Sequence, residues 1–310
     1  MFAPQIIIET LADNVRKTHN PFGLKKTGLT AWGRECNISQ EGEALLFTGL
    51  MYQLVPYIKA TTQYLEKYED TPKADYLRYG KMIPKPLTNL GLNFIAAKED
   101  KQNSDTILCN IAKILRSSGV SFCYKPELDE YSGVLLYDLG DQKNFIDHAE
   151  FVAQKLQDAG IRKLITVDPH TTYALKVLYP KYLGITFEVQ PYFEVTRLTG
   201  KDISKEEEIT LHDPCFYGRY LDLAAVPRTL LHGLGISCSP LNTSGSFTNC
   251  CGGPAESVSP KLAEEVGRRR VAELKQPGKQ IVAMCPICMA NLQKAGAEVI
   301  DLSSLLVQFA

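Results

Sequence analysis

The segments KLITVDPHTTYALKVLYP (163–180) and QIVAMCPICMANLQKAGA (280–297) decide the fold, because both read the same way. In each, a β-branched apolar run leads into a short proline-bearing turn and then into apolar residues at helical spacing. Each is therefore a strand, a loop and a helix. Laid one over the other, Asp168 takes the place of Cys285, Pro169 that of Pro286 and Thr171 that of Cys288. Upstream, EYSGVLLYDLGD (130–141) lines up with NCCGGPAESVSP (249–260), which sets Tyr131 and Ser132 opposite Cys250 and Cys251. The spacing agrees: 35 residues separate Ser132 from Asp168, and 33 separate Cys251 from Cys285.

Working outward, each half carries a helical pattern between these landmarks, NFIDHAEFVAQKLQDAG (144–160) and KLAEEVGRRRVAELKQ (261–276). Each half also opens on a strand, a glycine- or proline-bearing loop and a helix, at 43–68 and 208–235, so Leu50 corresponds to Cys215. Strands alternating with helices make parallel βαβ units. The expected fold is α/β, two pseudo-repeated lobes of doubly wound parallel sheet flanked by helices, plus an N-terminal arm. The arm covers 1–43, where THNPFGLKKTGLTAWGREC (18–36) has the punctuation of an irregular segment, here expected to dock a partner. The lobes cover 44–208 and 209–310. The first holds an insertion over roughly 65–118 with a helical pattern around SDTILCNIAKILRSSG.

Composition bounds the function. The 310 residues are 45% hydrophobic and 22% charged, with a net charge of −1, which argues against nucleic acid as the main partner. No run approaches a transmembrane span, and MFAPQIIIETLADNVRK lacks the basic start of a secretory signal, so a cytoplasmic protein is expected.

Nine cysteines stand out. Cys36, Cys109, Cys123 and Cys238 are scattered singly and read as incidental or buried thiols. Cys215, Cys250, Cys251, Cys285 and Cys288 share the last hundred residues, each expected just after a strand, where ligands of doubly wound sheets gather. Such a set can bind zinc, hold an iron–sulfur cluster or act as a redox dithiol. Zinc normally takes four ligands and gives no reason for a vicinal pair, so five thiols favour a polynuclear iron–sulfur site. Gly252 and Gly253 would let the backbone pass close to sulfide and offer N–H donors. His212 and Asp213 precede Cys215, as neighbours of the site, as a proton donor in the case of His212, or as a strand-end turn. Asp168 and His170 lie where the absent cysteines of the first lobe would face the second, positioned to supply protons or to fill a vacated pocket with Tyr131 and Tyr173. GRRR (267–270) reads as a solvated helix face.

HDPC (212–215), CCGGP (250–254) and CPIC (285–288), in this order, resemble the CCG or cysteine-rich domain of the heterodisulfide reductase catalytic subunit. The same module occurs in iron–sulfur subunits of glycolate and lactate oxidation systems. The resemblance is specific over 209–305 and weaker from about 44 to 208. It implies one noncubane [4Fe–4S] cluster bound by Cys215, Cys250, Cys251, Cys285 and Cys288. In the first module all five cysteine positions are substituted, which implies a lobe without a cluster. One intact module resembles the B-type subunits of the heterodisulfide-reductase-like complexes of sulfur oxidisers. The resemblance thus implies an oxidoreductase subunit acting on a thiol, a disulfide or carrier-bound sulfur. Its partners would be a ferredoxin-like subunit, a flavoprotein subunit and a dithiol carrier protein of lipoyl type, in a complex peripheral to a membrane at most. The alternative is an electron-transfer subunit of a flavin-dependent glycolate- or lactate-type oxidase, with no substrate site of its own.

Overall fold

A computed structural model describes residues 4–68, 96–199, 207–276 and 279–310. Two four-stranded parallel sheets form. In the first lobe β1 (Ala44–Phe47), β2 (Phe122–Cys123), β3 (Lys163–Thr166) and β4 (Glu188–Pro191) lie in the order β2-β1-β3-β4. In the second, β5 (Glu207–His212), β6 (Ile236–Cys238), β7 (Ile281–Ala283) and β8 (Val299–Asp301) lie in the order β6-β5-β7-β8. The two orders are the same, so the repeat read from the sequence is a repeat of topology. Every residue of β1 and of β7 is buried. That suits parallel strands covered on both faces and explains their unbroken apolar runs.

Helices follow the strands: α1 (Pro4–Thr18), α2 (Met51–Tyr68), α3 (Lys98–Ser117), α4 (Gln142–Asp158), α5 (Pro169–Tyr173), α6 (Ala225–Gly233), α7 (Pro260–Leu274), α8 (Pro286–Lys294) and α9 (Leu302–Leu306). The α5 axis runs on through a π-helical turn to Leu183. Helix α4 buries Phe145, Ala149, Val152, Ala153 and Leu156, a stripe of helical period, and Asp141 caps its start by accepting from Asn144 N. No helix among the described residues is long and apolar enough to cross a membrane.

The arm is largely helical rather than irregular. Helix α1 and the short helices Lys26–Leu29 and Trp32–Glu35 pack on the first lobe, where Trp32 lies 4.6 Å from the Tyr124 ring. Burial of that indole gives the segment the apolar anchor that its glycines and proline conceal. Cys36 and Cys109, read above as incidental thiols, form a disulfide between arm and α3, their Cα atoms 5.5 Å apart. Part of the expected insertion, 69–95, and the link at 200–206 lie outside the described residues.

In each lobe the first and third strands in chain order are neighbours, and the chain leaves them toward opposite edges. The crevice between β5 and β7 is therefore a topological switch point, as is that between β1 and β3. The lobes pack reciprocally across their interface. Helix α5 lies on the π-helical turn 216–220 of the second lobe, and α8 lies on α2 of the first. Thr172 Oγ1 is 3.3 Å from Tyr217 Oη on one side, and Tyr52 Oη donates to Asp301 Oδ2 at 2.6 Å on the other. Equivalent elements thus meet equivalent elements, as in a two-fold dimer.

Candidate metal centre

Cys215 comes three residues after the end of β5 and Cys285 two after β7, on either side of the switch point. Cys285 is the N-cap of α8, and its Sγ accepts from Cys288 N at 3.4 Å, which fixes Cys288 one turn above it. Cys250 and Cys251 do not follow a strand as expected. They sit in a loop that begins after β6 and crosses the sheet's carboxyl edge. Asp213 ties that loop down: its carboxylate accepts from Gly245 N at 2.8 Å and from both Arg228 Nη atoms, while Thr248 Oγ1 donates to its carbonyl. Gly252, at φ +93°, passes so close to α7 that a Cβ there would lie 2.3 Å from Ala263 O. Only glycine fits that approach. Its N–H points back to Cys250 Sγ at 3.4 Å, and Gly253 passes close by Cys251 Sγ.

The result is one continuous chain of sulfurs. The thiols are free and hydrogen-bonded in series: Cys215 and Cys251 face Cys250 as donors, and Cys288 faces Cys251 and Cys285 as the donor. Cys215 and Cys250 are half-buried, and the other three are buried. Hydrogen bonding to Cys250 pushes Cys215 well above the ordinary thiol range, and Cys250, accepting from Cys215 and Cys251, falls to about 2. Burial opposes ionisation of Cys285, yet donation from Cys288 and His170 brings it down to about 5. Neighbouring N–H groups, Gly252 N to Cys250 and Cys288 N to Cys285, thus stabilise negative charge on this row of sulfurs. Five sulfurs held in contact suit a multinuclear soft-metal group; they exceed what one tetrahedral zinc takes.

His170 crosses from the first lobe to this site. Its side chain hydrogen-bonds Cys285, its ring lies 4.6 Å from Phe216, and its Nδ1 is 3.9 Å from Asp138 Oδ2. Burial works against its charge, but the Cys285 thiolate and Asp138 raise it to about 9. Asp168 caps α5, its Oδ1 accepting from His170 N and Thr171 N at 2.9 and 3.0 Å. It therefore does in the first lobe what Cys285 does in the second. Asp168 Oδ2 and the Ser132 and Thr171 hydroxyls are buried and have no hydrogen-bond partner among the described residues. An apolar cavity of about 90 Å³, walled by Leu11, Leu54, Ile58 and Val134, reaches Asp138, His170 and Glu256.

The GRRR reading is corrected at one position. Arg268 and Arg269 are exposed, paired with Glu264 and Glu265, but Arg270 is 1% exposed and donates to His212 Nδ1 at 3.2 Å. The signal was periodicity, since Ala263, Gly267, Arg270, Val271 and Leu274 form one buried stripe. Burial and the adjacent Arg270 lower the His212 pKa to about 3, so its ring is neutral. Asp138, Tyr52 and Arg228 had no sequence signal, because their roles depend on contacts between distant segments.

Residues 209–293 match the cysteine-rich domain family CCG. The chain is 28% identical over 211 residues to a "Probable membrane-anchored ferredoxin" of Chromohalobacter salexigens, covering 63% of this chain and 31% of that protein. It is 22% identical over 297 residues to an "EtfAB:quinone oxidoreductase" of Syntrophomonas wolfei, covering 90% and 36%. It is 29% identical over 197 residues to one subunit of the "Dihydromethanophenazine:CoB--CoM heterodisulfide reductase" of Methanosarcina barkeri, covering 58% and 48%. The chain spans between about a third and a half of the length of these curated relatives. Motif order, fold and comparisons agree on the second lobe: residues 209–293 match the cysteine-rich domain family CCG, and the chain is similar to the redox proteins that these relatives represent.

Proposed function

We propose that Cys215, Cys250, Cys251, Cys285 and Cys288 hold one [4Fe–4S] cluster of the noncubane kind, and that the chain is the cluster-bearing subunit of a heterodisulfide-reductase-like redox complex. The observation that carries this reading is the gathering of five free thiols, hydrogen-bonded in series, at the switch point. When bound, the cluster supplies one-electron transfer. The chain's own residues do the rest. His170 holds a proton beside Cys285 and is oriented by Asp138, and Asp168 fixes the turn that carries His170. The apolar cavity excludes water from that end of the site and fits the stem of a thiol or disulfide substrate. Electrons would pass between a ferredoxin-like subunit, with a flavoprotein beyond it, and a thiol, disulfide or carrier-bound sulfur. Redox names among the relatives support the general class.

The second reading, electron transfer with no substrate of its own, is favoured by the first lobe, where oxygen and hydrocarbon side chains stand in all five cysteine positions. Anaerobic purification with metal and sulfide analysis tests the cluster: iron and sulfide in equal amounts are expected, and zinc alone would overturn it. Adding lipoamide to the loaded protein and recording EPR spectra then divides the two readings. A disulfide-dependent signal is expected for a substrate site, and an unchanged spectrum leaves electron transfer alone.

A further inference from the structure

His212 ends β5 with its ring buried behind the cysteines, 1% exposed. Arg270 Nε lies 3.2 Å from its Nδ1. A guanidinium has donors only and keeps its proton, so Nδ1 must be the acceptor. The imidazole proton is then confined to Nε2. Arg270 cannot swing away, since its other nitrogens bond Glu273, Thr243 and Thr248. Nε2 has no hydrogen-bond partner among the described residues, a rare state for a buried N–H. A ring nitrogen of His212 lies within 4.8 Å of both Cys251 Sγ and Cys288 Sγ. With Nδ1 occupied by Arg270, Nε2–H is the group that can serve those sulfurs.

We propose that His212 is an N–H donor to the sulfur face of the bound cluster and not a metal ligand, with Arg270 as the positioning residue that fixes its tautomer. This rests on the reading that the five cysteines hold a cluster. A neutral imidazole protonated at Nε2 has no lone pair there for iron, so the contact that makes His212 a donor also bars coordination. Hydrogen bonds to cluster sulfur stabilise the more electron-rich state and raise the reduction potential, and burial strengthens the effect.

The test compares the anaerobically purified loaded protein with His212→Leu, which has no N–H, and His212→Gln, which keeps one. Iron and sulfide per chain are measured first, then the midpoint potential by EPR-monitored titration. Equal iron is expected in all three. His212→Leu should lower the potential by about tenfold in the reduction equilibrium, which is about 59 mV for one electron, with His212→Gln closer to the parent. An unshifted potential in His212→Leu at full iron content overturns the proposal. Pulsed EPR on His170→Gln labelled with ¹⁵N-histidine, which removes the other imidazole beside the cysteines, decides even where His212→Leu fails to fold. Weakly coupled nitrogen and an exchangeable proton are expected, and a strongly coupled, iron-bound nitrogen overturns the assignment. A parent protein that holds no iron at all would instead overturn the cluster reading on which it stands.

Discussion

Gly252 sits where three demands meet. Its backbone turns left-handed at φ +93°, its Cα faces Ala263 O on α7, and its N–H points to Cys250 Sγ. A methyl group there would lie 2.3 Å from a helix carbonyl, which cannot move without breaking α7. Gly252→Ala is therefore expected to destabilise the fold by about 1–3 kcal/mol, from left-handed strain and overpacking together. Because the neighbouring cysteines move with it, iron retained per chain should fall as well. Denaturant unfolding and metal analysis of the same preparation check both effects. Gly253 has more room: a Cβ would meet Ile287 Cγ2 at 3.5 Å and Cys251 Sγ at 3.7 Å, both ordinary contacts. Gly253→Ala should then cost less, and a larger loss there than at Gly252 would contradict this account.

At the scale of elements, α7 shows how one helix serves solvent and site together. Arg268 and Arg269 face water in i,i+4 pairs of the kind that contribute a few tenths of a kcal/mol. Arg270 is one residue on, a rotation of about 100°, which carries it into the buried stripe with Val271 and Leu274. Replacing Arg268 or Arg269 by Ala is expected to change unfolding free energy by no more than about 0.5 kcal/mol. Arg270→Ala should cost about 3–5 kcal/mol, since it leaves the carbonyl of Thr243 and the Nδ1 of His212 without their donor. Equal effects at the three positions, read by urea unfolding, would refute the division. The strand–turn–helix units were legible in the sequence because parallel strands are continuous apolar runs and these helices keep strict period. Arg270 was legible only through that period, since three arginines in a row mask which one points inward. Asp213 could be seen at a strand end, but Arg228, its partner, could not, because that pair closes across an irregular loop. Cys36 and Cys109 gave no hint of pairing, being 73 residues apart in dissimilar surroundings.

For the whole molecule, the repeated topology gives two switch points facing one another, one lined by sulfur and one by oxygen and hydrocarbon. Both were visible in advance because landmark spacing survives when landmark chemistry does not. Their mutual approach was not visible, since it depends on the packing of α2 on α8 and of α5 on residues 216–220. The first lobe has also accumulated carboxyl groups in dry surroundings. Burial raises Asp129 and Asp138 to about 6, and burial with the nearby Glu35 raises Asp105 to about 6. Asp129 is the most enclosed, and it accepts from Thr48 N, Gly49 N, Thr48 Oγ1 and Tyr124 Oη without escaping the penalty. The sign of the linkage follows. These groups hold their protons more tightly folded than unfolded, so between the unfolded carboxyl range near pH 4 and the folded value near 6 the native state binds more protons. Their contribution to stability is fully present below about pH 4 and is lost as pH rises through 6. For Asp129 alone the change is at most about 3 kcal/mol. The melting temperature, measured with the bound metal content held constant, is therefore expected to fall between pH 5 and 7. Asp105→Asn, at a half-buried site on α3 and not among the residues of the five-cysteine site, should flatten that slope by removing one of the titrating groups. A melting temperature that stays level or climbs over the same interval would show that these carboxyls do not take up protons on folding, and a slope unchanged by Asp105→Asn would remove Asp105 from the titrating set.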